Sequence, residues 1–147
     1  MIYQYKSAQG PIRDTNEDEI DIVFNYDKTN KNLKPINFFA VYDGHGGSAV
    51  SKYIKDRLSK YFTENKRKYD IGRKSANAYI YDIYDAMEHK IEGASIRARG
   101  CGSTALVVIQ YAKNTIHNSL KIINLGDCRA VICDYRNRAI PLTKDHK

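Results

Sequence analysis

The apolar positions of the chain follow two periodicities, one typical of strands and one typical of helices. Alternating patterns and short apolar runs predict strands over residues 2–7, 20–24, 37–42, 103–111, 119–124 and 129–134. Apolar residues at helical spacing predict two helices, near 48–64 and near 75–92, with Gly93 as the stop of the second. A polar hairpin over 25–34 is predicted to join the second and third strands.

The order of these elements favours one fold class. Strands come first, two adjacent helices follow, and strands return. This order favours antiparallel sheets with helices packed outside them over a strictly alternating βαβ fold. We therefore predict an α+β protein. No internal repeat or linker divides the 147 residues, so residues 1–147 are interpreted as one domain. No glycine-rich nucleotide-binding motif is present.

Composition excludes several classes of protein. With 42% hydrophobic and 28% charged residues, the chain has enough apolar side chains to fold. No apolar run approaches the roughly 20 residues that a membrane-spanning helix needs. The N-terminus lacks the pattern of a secretory signal. Three cysteines, none in a Cys-x-x-Cys pair, indicate neither a disulfide framework nor a zinc site. We expect an intracellular protein, cytoplasmic or nuclear.

The net charge of +7 is unevenly distributed. Residues 52–74 hold nine basic and three acidic side chains. Such a block can bind nucleic acid, an anionic membrane or an acidic partner by Coulomb attraction. A solvated helix face and loop explains the same block more simply, and we expect no nucleic-acid partner.

An acid at the end of a buried strand is the first feature that suggests chemistry. Asp43 directly follows the apolar run 37–42, where an isolated carboxylate would carry a large desolvation cost. Gly44 and two further glycines leave the backbone open to close approach by a ligand. His45 is flanked by these glycines, a poor place for a side chain that serves only packing.

Other acids occupy similar positions. Asp127 lies in a turn after the strand 119–124, and Glu17 and Asp18 come just before the strand 20–24. Gathered at strand ends, these carboxylates would repel one another unless a cation lay among them, and hard divalent ions prefer such oxygen ligands. By position alone, Asp127 is better explained as a turn residue that bonds its own backbone. Glu17 and Asp18 alone could equally be solvated loop residues.

Five segments, taken in order, resemble one protein family. The resemblance is to consecutive motifs of the metal-dependent protein serine/threonine phosphatases of type 2C. It covers the whole chain but not the whole domain of the family. The segments are RDTNED (13–18), FAVYDGHGG (39–47), GSTA (102–105), NLGDCRAV (124–131) and LTKDHK (142–147).

The resemblance implies a fold and a metal centre. The fold is an antiparallel β-sandwich with helix pairs on both outer faces, and the centre holds two or more Mg²⁺ or Mn²⁺ ions. By matched position, Asp43 would bridge two ions and the Gly44 carbonyl would bind one of them. Glu17 and Asp18 would hold waters of the ions, and Asp127 would help to bind an additional ion.

The resemblance also implies a reaction. Water activated by two cations would attack the phosphorus of phosphoserine or phosphothreonine in a protein substrate. Arg13 would clamp the phosphate oxygens with its planar fork of donors. His45 would protonate the departing serine or threonine oxygen.

The last part of the family pattern has no counterpart before Lys147. Two further metal-binding aspartates of the family, and the C-terminal strands that complete both sheets, are missing from the 147 residues. Two hypotheses follow. One is a phosphatase of which these residues form a part, and the other is a shortened phosphatase-like protein that binds partners without turnover. The oligomeric state stays open.

Overall fold

A computed structural model describes residues 4–24, 37–64, 76–94, 100–112 and 118–146. Their elements are β1 (Glu19–Val23), β2 (Asn37–Tyr42), β3 (Gly44–His45), α1 (Ala49–Glu64), α2 (Ala76–Gly93), β4 (Gly102–Ser103), β5 (Ala105–Ala112), β6 (Asn118–Leu125), β7 (Val131–Cys133) and β8 (Ala139–Pro141). No helix in these ranges has the length and apolar character that crossing a bilayer requires.

One antiparallel sheet with the strand order β1-β2-β5-β6 forms the centre of the structure. Helix α1 packs on β1 and β2, and α2 packs on α1. Alternate residues of β2 point toward the helices, because side chains of a strand alternate between its two faces. The buried core joins β2, β5 and β6 to both helices through Phe38, Tyr42, Val107, Ile123, Ile54, Leu58, Ile83 and Met87. The predicted α+β class, with helices packed on antiparallel sheet, is confirmed.

The opposite face of the central sheet is also apolar. Val41 and Leu120 lie on it and keep 40% and 49% of their surface exposed. The described strands outside this sheet form two small antiparallel pairs, β3-β4 and β7-β8. The helix-covered face is therefore the one that forms the closed core of the described residues.

Most predicted elements agree with the structure, and the differences have physical reasons. The third strand is confirmed at its predicted bounds 37–42, and both helices begin one residue later than predicted. The strand predicted over 103–111 is interrupted at Thr104, whose amide donates to the Asp43 carbonyl instead of to a strand partner. The strand predicted over 129–134 is shorter, and it pairs with an unpredicted strand over 139–141.

The predicted first strand is wrong over the residues that can be compared. Residues 4–7 have no regular structure, and Ser7 accepts a hydrogen bond from the Asn16 amide at 2.7 Å. This segment is therefore tied to the loop before β1 rather than to a strand partner. The predicted hairpin 25–34 lies outside the described residues.

The part of the basic block that is described has structural partners. Lys55 pairs with Glu19 of β1, at 2.5 Å between the ammonium and carboxylate groups, and Arg57 stacks over the ring of Tyr53. Residues 65–74 of the block lie outside the described ranges. Two of the four basic residues of α1 therefore have side-chain contacts among the described residues.

Asp21 of β1 provides a test of the contact between sheet and helix. Burial raises its pKa, opposed by Ser59 and by the charges of Lys55 and Lys60. One of its carboxyl oxygens is buried without a hydrogen-bond partner among the described residues. Because the folded-state pKa is raised, the stability that this group contributes is complete below its unfolded pKa of about 4 and is lost as pH rises through the folded value.

We therefore expect Asp21→Asn to weaken the fall in unfolding free energy between about pH 4 and neutral pH. Urea unfolding of the metal-free protein at both pH values measures this slope. Asp82→Asn, at an exposed position of α2, is the matched control and should keep the wild-type slope. Equal slopes for Asp21→Asn and wild type would contradict the assignment.

Candidate active site

The loop before β1 forms one wall of a cleft of about 420 Å³. Five of the seven predicted site residues line it: Arg13, Glu17, Asp18, Asp43 and Gly44. The Gln9 amide donates to the Arg13 carbonyl at 2.5 Å, and the Asp18 amide donates to the Asn16 side chain at 3.1 Å. These local bonds hold the backbone that carries the basic and acidic groups.

Gly44 and Ser51 fix this loop to the protein core. The hydroxyl of Ser51, which is fully buried on α1, donates to the Glu17 carbonyl at 2.6 Å. A β-carbon at position 44 would overlap that carbonyl and would lie 2.9 Å from the Ser51 hydroxyl. Glycine is therefore required at 44 by packing alone, whatever ligand approaches it.

We expect Ser51→Ala to lower the unfolding free energy by about 1–3 kcal/mol, because it leaves the Glu17 carbonyl without its buried donor. Urea unfolding without metal measures the change. Ser103→Ala is the matched control, since the Ser103 hydroxyl bonds to the carbonyl of the adjacent residue at 2.8 Å. A loss no larger than that of the control would show that Ser51 does not anchor the loop.

Asp43 lies at the centre of a group of carboxylates. Burial raises its pKa, the negative charges of Asp18 and Asp127 raise it further, and its protonated form donates a hydrogen bond to Asp18. The charge of His45 partly opposes these effects. Asp127 does not line the cleft wall, but its charge acts on Asp43. The structure thus brings three of the predicted acids together, because the strand ends that carry them meet at one edge of the fold.

The turn that carries Asp127 is held from both sides. Gly126 has φ of +108°, a backbone conformation that favours glycine. Its carbonyl accepts hydrogen bonds from the backbone amide of His146 at 3.0 Å and from the side chain of Asn124 at 3.1 Å. Arg129, two residues after Asp127, forms a two-pronged ion pair with Asp145. Asp145 and His146 therefore fix the backbone on both sides of Asp127.

His45 is placed differently from the other predicted residues. It belongs to β3, which pairs with β4, and its ring packs directly on Gly102. The side chain lines a second cavity of about 270 Å³, whose walls are mainly apolar residues of α1 and α2. His45 is two residues from Asp43 in the sequence, and its charge acts on Asp43. Its ring nevertheless lies outside the acidic cleft.

The side chains that line the cleft indicate which kind of metal ion it could bind. Among the described residues, no three His, Cys, Asp or Glu side chains form a ready-made metal cage. The cleft offers instead a few carboxylates that repel one another when ionised. Mg²⁺ keeps several waters and takes only one or two carboxylates from the protein. The residues present therefore fit a hydrated, hard divalent cation.

Three residues that shape the site were not assigned roles by the sequence. Ser51 lies within the predicted helix, Asn16 within the first motif, and Thr104 within the third. A small polar residue in a buried helical stripe is a weak signal for Ser51. Nothing in the sequence shows which backbone group each side chain contacts.

Comparisons with known proteins agree with the fold and identify the family. The family described as Protein phosphatase 2C matches residues 7–147. Protein phosphatase 1L of Bos taurus is 30% identical over 96% of this chain and 38% of its own length. Probable protein phosphatase 2C 45 of Oryza sativa subsp. japonica is 32% identical, over 99% of this chain and 46% of its own length. The crystal structure of a bacterial serine phosphatase bearing an R161A mutation shares the fold, with a TM-score of 0.68 at 23% identity, over 97% of this chain and 61% of that one.

An antiparallel sheet with helices packed on it is the fold that this chain shares with that solved structure. The chain belongs to the protein phosphatase 2C family. It spans less than half the length of the two curated relatives described above.

Proposed function

We propose that the chain forms the catalytic cleft of a Mg²⁺- or Mn²⁺-dependent phosphatase that hydrolyses phosphoserine and phosphothreonine in proteins. The observation that carries the proposal is the meeting of Arg13 with Asp18 and Asp43 in one cleft, where burial and the charges of neighbouring carboxylates raise the pKa of Asp43. Family membership supports it.

The acids would hold the ions. Asp43 and the Gly44 carbonyl would bind directly, Glu17 and Asp18 would act through waters, and Asp127 would assist with a further ion. Bound divalent cations lower the pKa of water and neutralise charge on a phosphate. The mutual repulsion around Asp43 favours cation uptake, because a positive charge relieves it.

Two side chains would handle the substrate. Arg13 would bind the phosphate oxygens, since its exposed guanidinium shares the cleft with the acids. His45 would donate a proton to the leaving oxygen. Because its ring lines the second cavity, this role would require the leaving oxygen to reach toward that cavity.

The test is phosphate release from a phosphothreonine peptide and from a small aryl phosphate, with millimolar Mn²⁺ or with EDTA. We expect turnover of both substrates with Mn²⁺ and none with EDTA. No phosphate release from either substrate, by folded protein at saturating Mn²⁺, would overturn the proposal.

A second candidate is a phosphatase-like binding protein without turnover. The lack of a three-ligand metal cage among the described residues favours it. It predicts that the protein binds a phosphopeptide in calorimetry and releases no phosphate from it. Turnover that depends on Mn²⁺ excludes this candidate.

A further inference from the structure

Thr104 lies between the two acid-bearing turns of the candidate site. Its hydroxyl accepts the backbone N–H of Asp43 at 3.0 Å, and its own N–H donates to the Asp43 carbonyl at 2.9 Å. Two hydrogen bonds thus fix both backbone polar groups of Asp43. Thr104 is the single residue that separates β4 from β5 along the chain.

The same side chain packs on the turn that carries Asp127. A β-carbon at Gly126 would lie 2.7 Å from the Thr104 methyl carbon, so the methyl occupies the space that a side chain there would need. The Thr104 hydroxyl also lies 3.1 Å from the thiol of Cys128. Thr104 therefore touches residues on both sides of Asp127.

We propose that Thr104 is a positioning residue that sets the separation between Asp43 and Asp127, and through it the affinity of the site for divalent cations. This proposal rests on the metal-dependent function proposed above. The hydroxyl joins the two turns, because it contacts both Asp43 and Cys128, and the methyl packs against Gly126. Valine keeps the methyl contact and loses both hydroxyl contacts, whereas serine does the reverse.

The matched control is Thr143, whose hydroxyl accepts the N–H of Ala130 at 3.0 Å. Thr143→Val removes a hydrogen bond of the same kind and length as Thr104→Val, but one that does not involve Asp43. Comparing the two variants separates the loss of a threonine hydrogen bond in general from its loss at Asp43.

The first measurement is calorimetric titration of the full chain with Mn²⁺. We expect Thr104→Val to raise the dissociation constant about tenfold, within the range for the loss of one hydrogen bond. Thr104→Ser should raise it about threefold at most, and Thr143→Val should leave it unchanged. In phosphatase assays, saturating Mn²⁺ should restore the kcat of Thr104→Val with little change in KM for a phosphopeptide. Wild-type Mn²⁺ affinity in Thr104→Val would overturn the proposal.

The second measurement needs no metal. Hydrogen exchange followed by mass spectrometry should show faster exchange in Thr104→Val for peptides that cover 43–45 and 125–128, with α1 unchanged. Unchanged exchange at both turns would overturn the proposal. If wild type takes up no Mn²⁺, the proposed function fails, while the exchange result still decides whether Thr104 joins the two turns.

Discussion

Asp43→Asn is expected to abolish metal-dependent phosphatase activity while leaving the metal-free fold at least as stable as wild type. The loss of kcat/KM should reach roughly a thousandfold, or about 4 kcal/mol of transition-state stabilisation. The variant loses the central anionic donor of the cleft, and it also loses the charge that Asp18 and Asp127 oppose. Phosphate release, Mn²⁺ calorimetry and thermal unfolding without metal measure the three effects.

The stability part of this expectation has a definite sign. A carboxyl group whose folded-state pKa is raised destabilises the fold once pH exceeds that value, because the folded state resists its ionisation. Removing the charge therefore does not weaken the metal-free protein at neutral pH. Asp56→Asn on α1 is the control for a lost exposed acid. Retained Mn²⁺-dependent turnover in Asp43→Asn would remove Asp43 from the metal site.

Arg13→Ala is expected to lower kcat/KM for a phosphopeptide by about ten- to a hundredfold, which corresponds to the loss of charge-assisted hydrogen bonds of about 1.5–3 kcal/mol. Arg13→Lys should recover part of the loss, because an ammonium keeps the charge but not the two-pronged geometry. Steady-state kinetics with the peptide and with an aryl phosphate measure both variants.

The control for Arg13 is Arg57→Ala. Arg57 is an exposed cation of α1 that stacks on Tyr53 and lies outside the cleft. The Arg57→Ala variant should keep wild-type kinetics with both the phosphopeptide and the aryl phosphate. Equal losses in the two variants would show that Arg13 acts through the net charge of the protein rather than by holding phosphate.

Sequence patterns predicted the elements that depend on nearby residues. They failed for the elements whose structure depends on a contact with residues distant in the chain. Strand 37–42 is apolar from Phe38 to Tyr42 and is covered on one face by helices, so this short apolar run suffices to predict it. The irregular residues 4–7 show the opposite case, because an alternating pattern becomes a strand only beside a partner with free hydrogen-bonding groups. Likewise, the break at Thr104 depends on Asp43, which is 61 residues away in the chain.

The site shows the same division. The motifs supplied the residue types of the cleft, and the structure places Arg13, Asp18 and Asp43 along one cleft. The direction of the His45 ring could not be read from its flanking glycines, since it depends on contact with Gly102 and on the cavity beside α1. The support given by Ser51 is equally invisible in sequence, because a hydroxyl has several acceptors within reach on any helix.

The close fit of Gly44 against the Glu17 carbonyl affects how relatives of this chain should be sorted into enzymes and inactive paralogues. A paralogue that accumulates substitutions after losing catalysis must still fold, so it keeps glycine at this position for steric reasons. It is free to exchange Asp43, and gains from doing so by relief of charge repulsion. Retention of the acid, not of the neighbouring glycine, is therefore the mark of a working phosphatase.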